Sequence, residues 1–309
     1  MLPWIGVLIV ILTVYAILKK YETRMVLFTA GLLMSIISLQ PMKAFAQFQT
    51  SMTNAGLISA ICSVMGFAYV MKLTKCDQHL VHAVAGTVSK ARAILIPATT
   101  IATWLINIAL PSAAGCSAAV GAVMIPVLMA AGVHPAVAAA AVLAGTFGSV
   151  LSPGSAHIVM VSEMAGRSVV ETIAVVTPAT IICGLIGAVV LTILAFIRKE
   201  DRGHKSDVLA GTEQFRVNPI YALVPILPLV LLVLGATVPA MKSWGLTVPA
   251  CMVIGAMIAL AVTRTNPAEL TKSFFDGMGK AYADVIGIII AAGVFAAGLT
   301  QVGLIDLLL

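Results

Sequence analysis

The amino-acid sequence predicts an all-α, polytopic membrane protein, and three observations carry that expectation. Of 309 residues, 61% are hydrophobic and only 10% are charged, too little polar surface to coat a soluble globule of this length. Apolar stretches close to the roughly 20 residues of one bilayer crossing recur along the chain. No Lys, Arg, Asp or Glu occurs from Ala93 to Ser162. The lipid bilayer is therefore the first partner. The formal charge of +6 does not indicate a nucleic-acid partner, because the basic residues sit between apolar segments and not among aromatics on one face. Cys62, Cys76, Cys116, Cys183 and Cys251 lie far apart and mostly inside apolar segments. They lack the paired spacing of a zinc site or disulfide framework and read as small core residues.

The first element is Leu2 to Leu18. Lys19, Lys20 and Arg24 follow it, whereas a cleaved signal carries its charge ahead of the apolar region, so this is a retained span. Further spans are expected at 25–39 and 56–73. The stretch KCDQHLVHAVAGTVSKAR (75–92) is too polar to cross, yet Leu80, Val84 and Val88 recur every four residues and put an apolar stripe on an interfacial helix. Residues 93–133 hold two apolar arms around PSAAGCSA (111–118), the pattern of a re-entrant hairpin whose tip must be surrounded by protein. Residues 135–166 open on the alanine-rich PAVAAAAVLAG and run into GTFGSVLSPGSAHIVMVSEMAG (145–166). Spans at 168–197, 219–240, 246–263 and 283–303 complete the series.

Charge sets the orientation. With the hairpin entering and leaving on one side and the N-terminus outside, only Lys43, Arg167 and Lys242 of the 18 basic residues face outward. The others, including Lys72, Lys90, Arg92 and Lys205, face the cytoplasm. One crossing more or fewer would turn RKEDRGHK (198–205) outward, against the positive-inside tendency. The count sets parity; the hairpin itself rests on its small, polar tip.

Within 135–166 a helix should break. Pro153 cannot donate a backbone hydrogen bond, and Gly148 and Gly154 relax the chain on either side. The expectation is a first half-helix ending near Phe147, an unwound piece through 149–156, and a second half from His157 to Met164. Free N–H groups at a half-helix start favour anions, and free carbonyls at a half-helix end coordinate cations. Candidate binding residues are therefore Ser112, Gly115 and Ser117 at the hairpin tip, with Ser149, Ser152, Gly154, Ser155 and His157 at the break. Ser112, Ser117 and Ser155 offer hydroxyl oxygens suited to sodium. Small residues also serve tight helix packing in lipid, which is enough to explain any one serine but not two polar clusters, each beside a helix break. His157 reads as a ligand, a proton-coupling group or a cap of the second half-helix. Glu163, Arg167 and Glu171 form a solvated group at the outward turn, Asp284 lies near the cytoplasmic surface, and His134–Pro135 is a turn.

Enzyme chemistry finds little footing. The sequence has no zinc-protease pair, no phosphate loop and no aspartate deep in a span. A rhomboid-like protease pairing Ser117 with His157 has no support in the flanking residues. The chain is expected not to be an enzyme, and to use no cofactor beyond a sodium or proton coupling ion.

After 198–218 a second series begins at Pro219. Its third member, GIIIAAGVFAAGLTQVGLID (287–306), faintly echoes ICSVMGFAYVMKLTKCD (61–77), as an inverted repeat would. The chain then divides into a first repeat (1–197), a cytoplasmic linker (198–218) and an incomplete second repeat (219–309). The second hairpin and second broken helix would follow residue 309.

The block LPSAAGCSAAVGAVMIPVLMAAGVHPAVAAAAVLAGTFGSVLSPGSAHIVMVSEMAG, with FFDGMGKAYADVIGIIIAAGVFAAGLTQVGLIDLL near the end, resembles the anaerobic C4-dicarboxylate carrier family of DcuC type, within the ion transporter superfamily. The resemblance implies an inverted-repeat secondary transporter with a re-entrant hairpin and a broken helix, here with its second repeat incomplete. It implies exchange, uptake or efflux of succinate, fumarate or malate across a bacterial inner membrane through elevator-like movement. Carried onto this chain, the first-half site falls on Ser112 to Ser117 and Ser149 to His157. The tip SAAGCSA is poorer in Thr and Asn than better-understood superfamily members. Alternatives on the same architecture are a sodium/proton antiporter or a sugar-acid permease. A non-transporting, truncated chain is a third reading. Partners implied are a dicarboxylate, a second copy in a homodimer, and a separately supplied C-terminal half.

Overall fold

The computed structural model describes residues 2–88, 94–203 and 215–308. Expectations that rest on Lys90, Arg92 and Lys205, on the end of the 75–92 segment and on the middle of the linker fall outside those residues. Among the described residues every regular element is helical. Six segments are long and apolar enough to cross a bilayer: Ala55–Thr74, Ala113–Ala130, Pro135–Ala165, Val169–Ile197, Pro219–Thr237 and Pro267–Gln301. The protein is an all-α polytopic membrane protein.

The chain opens with α1 (Leu2–Leu18), α2 (Thr23–Ile37), α3 (Pro41–Met52) and α4 (Ala55–Thr74). Glu22 caps α2 by accepting the Met25 N–H at 2.7 Å; this bond, with the Arg24 guanidinium beside it, holds its carboxyl below the usual range. Helix α3 was not expected, because Gln47, Gln49, Thr50 and Ser51 depress its hydropathy. Pro41 at its first position nonetheless starts it. Next come α5 (Cys76–Val88), α6 (Leu95–Ala109), α7 (Ala113–Ala130), α8 (Pro135–Gly145), α9 (Ala156–Ala165) and α10 (Val169–Ile197). The later helices are α11 (Pro219–Leu223), α12 (Leu227–Thr237), α13 (Pro239–Lys242), α14 (Val248–Thr263), α15 (Pro267–Ala281), α16 (Gly287–Gln301) and α17 (Leu304–Leu308). A five-residue π-turn, Tyr282–Ile286, joins α15 to α16, so the expected span from 283 is the second part of a longer helix. Asp284 in that turn pairs with Lys280 at 2.9 Å and is half exposed.

Two compact units contain these helices, one of residues 1–62 with 279–309 and one of residues 63–278. In the first, α1, α2, α16 and α17 share a small core of Ile9, Ala30, Met34, Val302 and Leu304. Glycine permits the close crossing of α2 and α16: a Cβ on Gly31 would stand 2.5 Å from the Val294 carbonyl oxygen, and one on Gly298 2.7 Å from that of Gly31. Arg24 donates to the Ala283 carbonyl at 2.7 Å, giving a partner to an oxygen inside the π-turn.

In the second unit the apolar stripe of α5 faces protein. Leu80, Val81 and Ala85 pack with Ile106 and Leu110 of α6, Cys116, Val120 and Met124 of α7, and Ala222 of α11; Val84 lies at the margin. The period-four pattern identified the helix but could not distinguish a lipid face from a protein face. Two histidines fasten α5 to the chain entering α11. His79 Nδ1 accepts the Asn218 N–H at 3.0 Å, and its ring lies 4.7 Å from Phe215 and 5.1 Å from Tyr221. His82 stacks on Phe215 at 4.1 Å. Burial lowers the affinity of both imidazoles for a proton, and His82 also feels His79.

Candidate functional site

The candidate site is built by two chain interruptions, the α6–α7 tip and the α8–α9 break. Helix α6 stops because Pro111 follows Leu110, which takes an extended ψ of 82°. Ser112 then caps α7: its Oγ accepts the Gly115 N–H at 3.1 Å, and its carbonyl accepts the Cys116 N–H at 2.7 Å. These bonds follow the N-cap pattern that serine favours.

Helix α8 starts at the His134–Pro135 turn, where His134 Nδ1 accepts the Ala136 N–H at 3.2 Å. It does not simply unwind after Phe147. The chain tightens into a 3₁₀ helix over Thr146–Leu151, which retains local hydrogen bonds that a fully extended segment would lose. Ser152 is extended, ψ 132°, as the following Pro153 requires. Ser155 begins α9, with its N–H donated to the Ser152 carbonyl at 3.1 Å. The break presses on α6 at two glycines. A Cβ on Gly148 would stand 2.0 Å from the Trp104 carbonyl oxygen, and one on Gly145 would stand 2.3 Å from Thr103 Cβ.

One side chain joins the two interruptions. Asn107, fully buried near the end of α6, accepts the Ser149 N–H at 2.6 Å and donates to the Leu110 carbonyl at 2.9 Å. The amide thus satisfies a donor freed at the break and an acceptor freed at the tip, groups that would be costly to leave unpaired at membrane depth. A cleft nearby is lined by Pro111, Ser152 and Pro153 together with Phe67, Pro225 and Pro228. It offers only about 10 Å³, barely one water.

The predicted residues are therefore distributed unevenly. Ser152 lines the cleft, and Ser149 is tied to Asn107 through its backbone. Gly154 presses on Val64, where a Cβ would stand 2.3 Å from Cγ1. Ser155 is buried, and its Oγ lies 3.0 Å from His157 Nδ1, while the His157 ring is exposed. Ser117 sits farther along α7 and donates to the Ala114 carbonyl at 3.1 Å. Ser112, Gly115, Ser117, Ser149, Gly154, Ser155 and His157 do not line the cleft. At the turn between α9 and α10 Glu163 and Arg167 are exposed, whereas Glu171 completes a capping box with Ser168. Asn107, Lys72 and Asp77 were not among the predicted residues. Asn107 sits inside the apolar WLINIAL, and only the presence of an amide in that run could have signalled it. Lys72 reaches the hairpin tip, its Cε 3.9 Å from where a Cβ of Gly115 would be. Asp77 is a buried carboxylic acid just past the end of α4.

Two Haemophilus influenzae proteins named as uncharacterized transporters are similar to this chain. One is 58% identical over 134 residues, covering 43% of this chain and 92% of that protein. The other is 44% identical over 167 residues, covering 50% of this chain and 60% of that protein. The anaerobic C4-dicarboxylate transporter DcuC of Escherichia coli K12 is 25% identical over 335 residues, covering 99% of this chain and 71% of that protein. The family described as C4-dicarboxylate anaerobic carrier matches residues 1–309, and the chain belongs to that family.

Proposed function

We propose that this protein carries C4-dicarboxylates such as succinate, fumarate and malate across the bacterial inner membrane, with its N-terminus outside. In this reading the α6–α7 tip and the α8–α9 break form the first-half binding site. The observation that carries it is the Asn107 bridge, which holds two polar interruptions in fixed register inside an otherwise apolar unit. Tip and break would move together during transport. Ser112, Gly115, Ser117, Ser149, Ser152, Gly154, Ser155 and His157 are the residues assigned to substrate or coupling ion. The Ser112, Ser117 and Ser155 hydroxyls keep lone pairs able to meet a hard cation such as sodium, and transport is ion-coupled or an exchange.

Labelled succinate movement into proteoliposomes, with unlabelled fumarate inside, tests the proposal. Uptake by the parent protein should be saturable and competed by malate, and Ser155→Leu should reduce it at least roughly tenfold by filling a small polar position with an apolar side chain. Undiminished uptake by folded Ser155→Leu protein would remove Ser155 from the site. Absence of dicarboxylate binding and uptake by the parent protein would overturn the proposal.

A further inference from the structure

The turn between α4 and α5 brings a cation and a buried acid to the hairpin tip. Lys75 adopts a left-handed φ of 57°, which stops α4 and starts α5 one residue later. Asp77, in the first turn of α5, thus follows by five residues Lys72 in the last turn of α4. Asp77 is only 8% exposed. Its carboxylate accepts the N–H of the neighbouring Gln78 at 2.8 Å, a modest compensation for burying a charge. Burial pushes this carboxyl above the usual range, while the Lys72 charge pulls it down.

Lys72 faces the other way as well. It is exposed, its ammonium lies 6.0 Å from the Tyr69 ring centroid, and its Cε reaches Gly115 at the tip. None of the ion pairs within 4 Å among the described residues includes Lys72. It is near enough to Asp77 to be felt and free enough to turn to an incoming anion. A role confined to topology and to the negative end of α4 would explain the lysine, but not its approach to the tip together with a buried acid behind it.

We propose that Lys72 is shared between Asp77 and a substrate carboxylate, and that Asp77 takes up a proton when the substrate claims the lysine. The inference rests on the carrier reading and assigns its coupling ion. With the site empty, Lys72 offsets the Asp77 carboxylate. A dicarboxylate at the tip draws the ammonium toward itself. Asp77, buried and deprived of its nearest positive charge, then binds one proton from water. Besides Lys72, the other titratable groups on α5 and its adjoining turn are Lys75, Cys76, His79 and His82, and the helices packed against α5 add Cys116 of α7 and Tyr221 of α11. Release of the dicarboxylate reverses each step, so one proton accompanies each substrate without any bond being made or broken in the cargo.

The experiment is calorimetric titration of succinate, and of its monoamide succinamate, into the full chain in lipid nanodiscs, at one pH in two buffers of different ionisation enthalpy. The parent protein should bind succinate with net proton uptake. Asp77→Asn should bind succinate with uptake abolished, and Lys72→Gln should bind it roughly tenfold more weakly, as expected for a lost charge-assisted bond. Lys72→Gln should also lose most of the preference for succinate over succinamate, which Lys72→Arg should largely restore. A merely structural role for Lys72 would move neither that preference nor the proton count. Unchanged proton uptake in folded Asp77→Asn, or unchanged succinate affinity in folded Lys72→Gln, overturns the inference. If those outcomes appear while Ser155→Leu weakens succinate binding, the carrier reading stands and the coupling assignment alone falls. If the parent protein binds no dicarboxylate, both fall.

Discussion

Two interrupted helices face each other across the small cleft of the second unit, and they handle the interruption differently. The segment Pro135–Ala165 is broken over Thr146–Ser155 by a 3₁₀ turn, an extended Ser152 and Pro153. The segment Pro219–Thr237 is interrupted at Val224–Ile226, a short 3₁₀ turn that contains Pro225 and is followed by Pro228 at the start of α12. The first break is lined with serines and donates a hydrogen bond to Asn107 of a different helix. The second is apolar, and each proline that bends the chain also removes the donor that bending would have stranded. A break in a membrane helix is therefore not itself a site. Polar groups brought from elsewhere distinguish a break that can hold a ligand from one that only shapes a wall.

Substitutions should widen or erase this difference. The largest effect is expected at Gly148, where an added Cβ meets the rigid Trp104 backbone at 2.0 Å. Gly148→Ala should cost about 3 kcal/mol, seen as a large fall in thermal midpoint and folded yield. Gly235→Ala, in the helix of the apolar break, meets Leu246 Cβ and Cδ1 at 3.0 Å, a contact that a shift of a few tenths of an ångström relieves. Its change should stay within about 1 kcal/mol. Next, Asn107→Leu strands the Ser149 N–H and should cost about 2 kcal/mol, with succinate binding lost even in protein that remains folded. Pro225→Ala should lie within about 1 kcal/mol of the parent and leave binding intact. A finding that Pro225→Ala abolishes binding while Asn107→Leu does not would invert the comparison.

The smallest expected effect is on pH dependence, at the histidine fastening near the second break. His79 must be unprotonated at Nδ1 to accept from Asn218, and burial disfavours its charged form. A lowered folded pKa means that the unfolded chain binds the proton more readily. The contribution is then full above an unfolded value of about 6.5 and is lost as pH falls below it toward the folded value. Thermal midpoints measured from pH 7.5 down to 5.5 should decline slightly. In His79→Phe that slope should be reduced, from a lower starting stability.

How much of this was legible in the sequence depends on the range of the interactions. Pro153 beside Gly154, amid serines, announces a break through local chemistry. Pro111 after Leu110 and Ser112 before α7 announce the tip in the same way. The 3₁₀ geometry of Thr146–Leu151 was less readable, since it depends on the press of Gly145 and Gly148 against α6. Asn107 could not be recognised from its neighbours, because its two bonds are defined by the tip and the break together. In the sequence Lys72 reads only as one of the cytoplasm-facing cations that set orientation; its approach to Gly115 exists only in the folded chain. Helix α3 was hidden by its polar residues.

The Asn107–Ser149 bond closes a loop of 42 residues that contains the second hairpin arm, the turn at His134 and all of α8. Such a loop acts as a ruler. Because each residue added to a helix turns the chain beyond it by about 100° and advances it by about 1.5 Å, inserting a single alanine within α8 would carry the Ser149 N–H away from Asn107. Side-chain substitutions on the same stretch of α8 would leave that distance unchanged. Evolution of this region should therefore tolerate changes of letter more readily than changes of length.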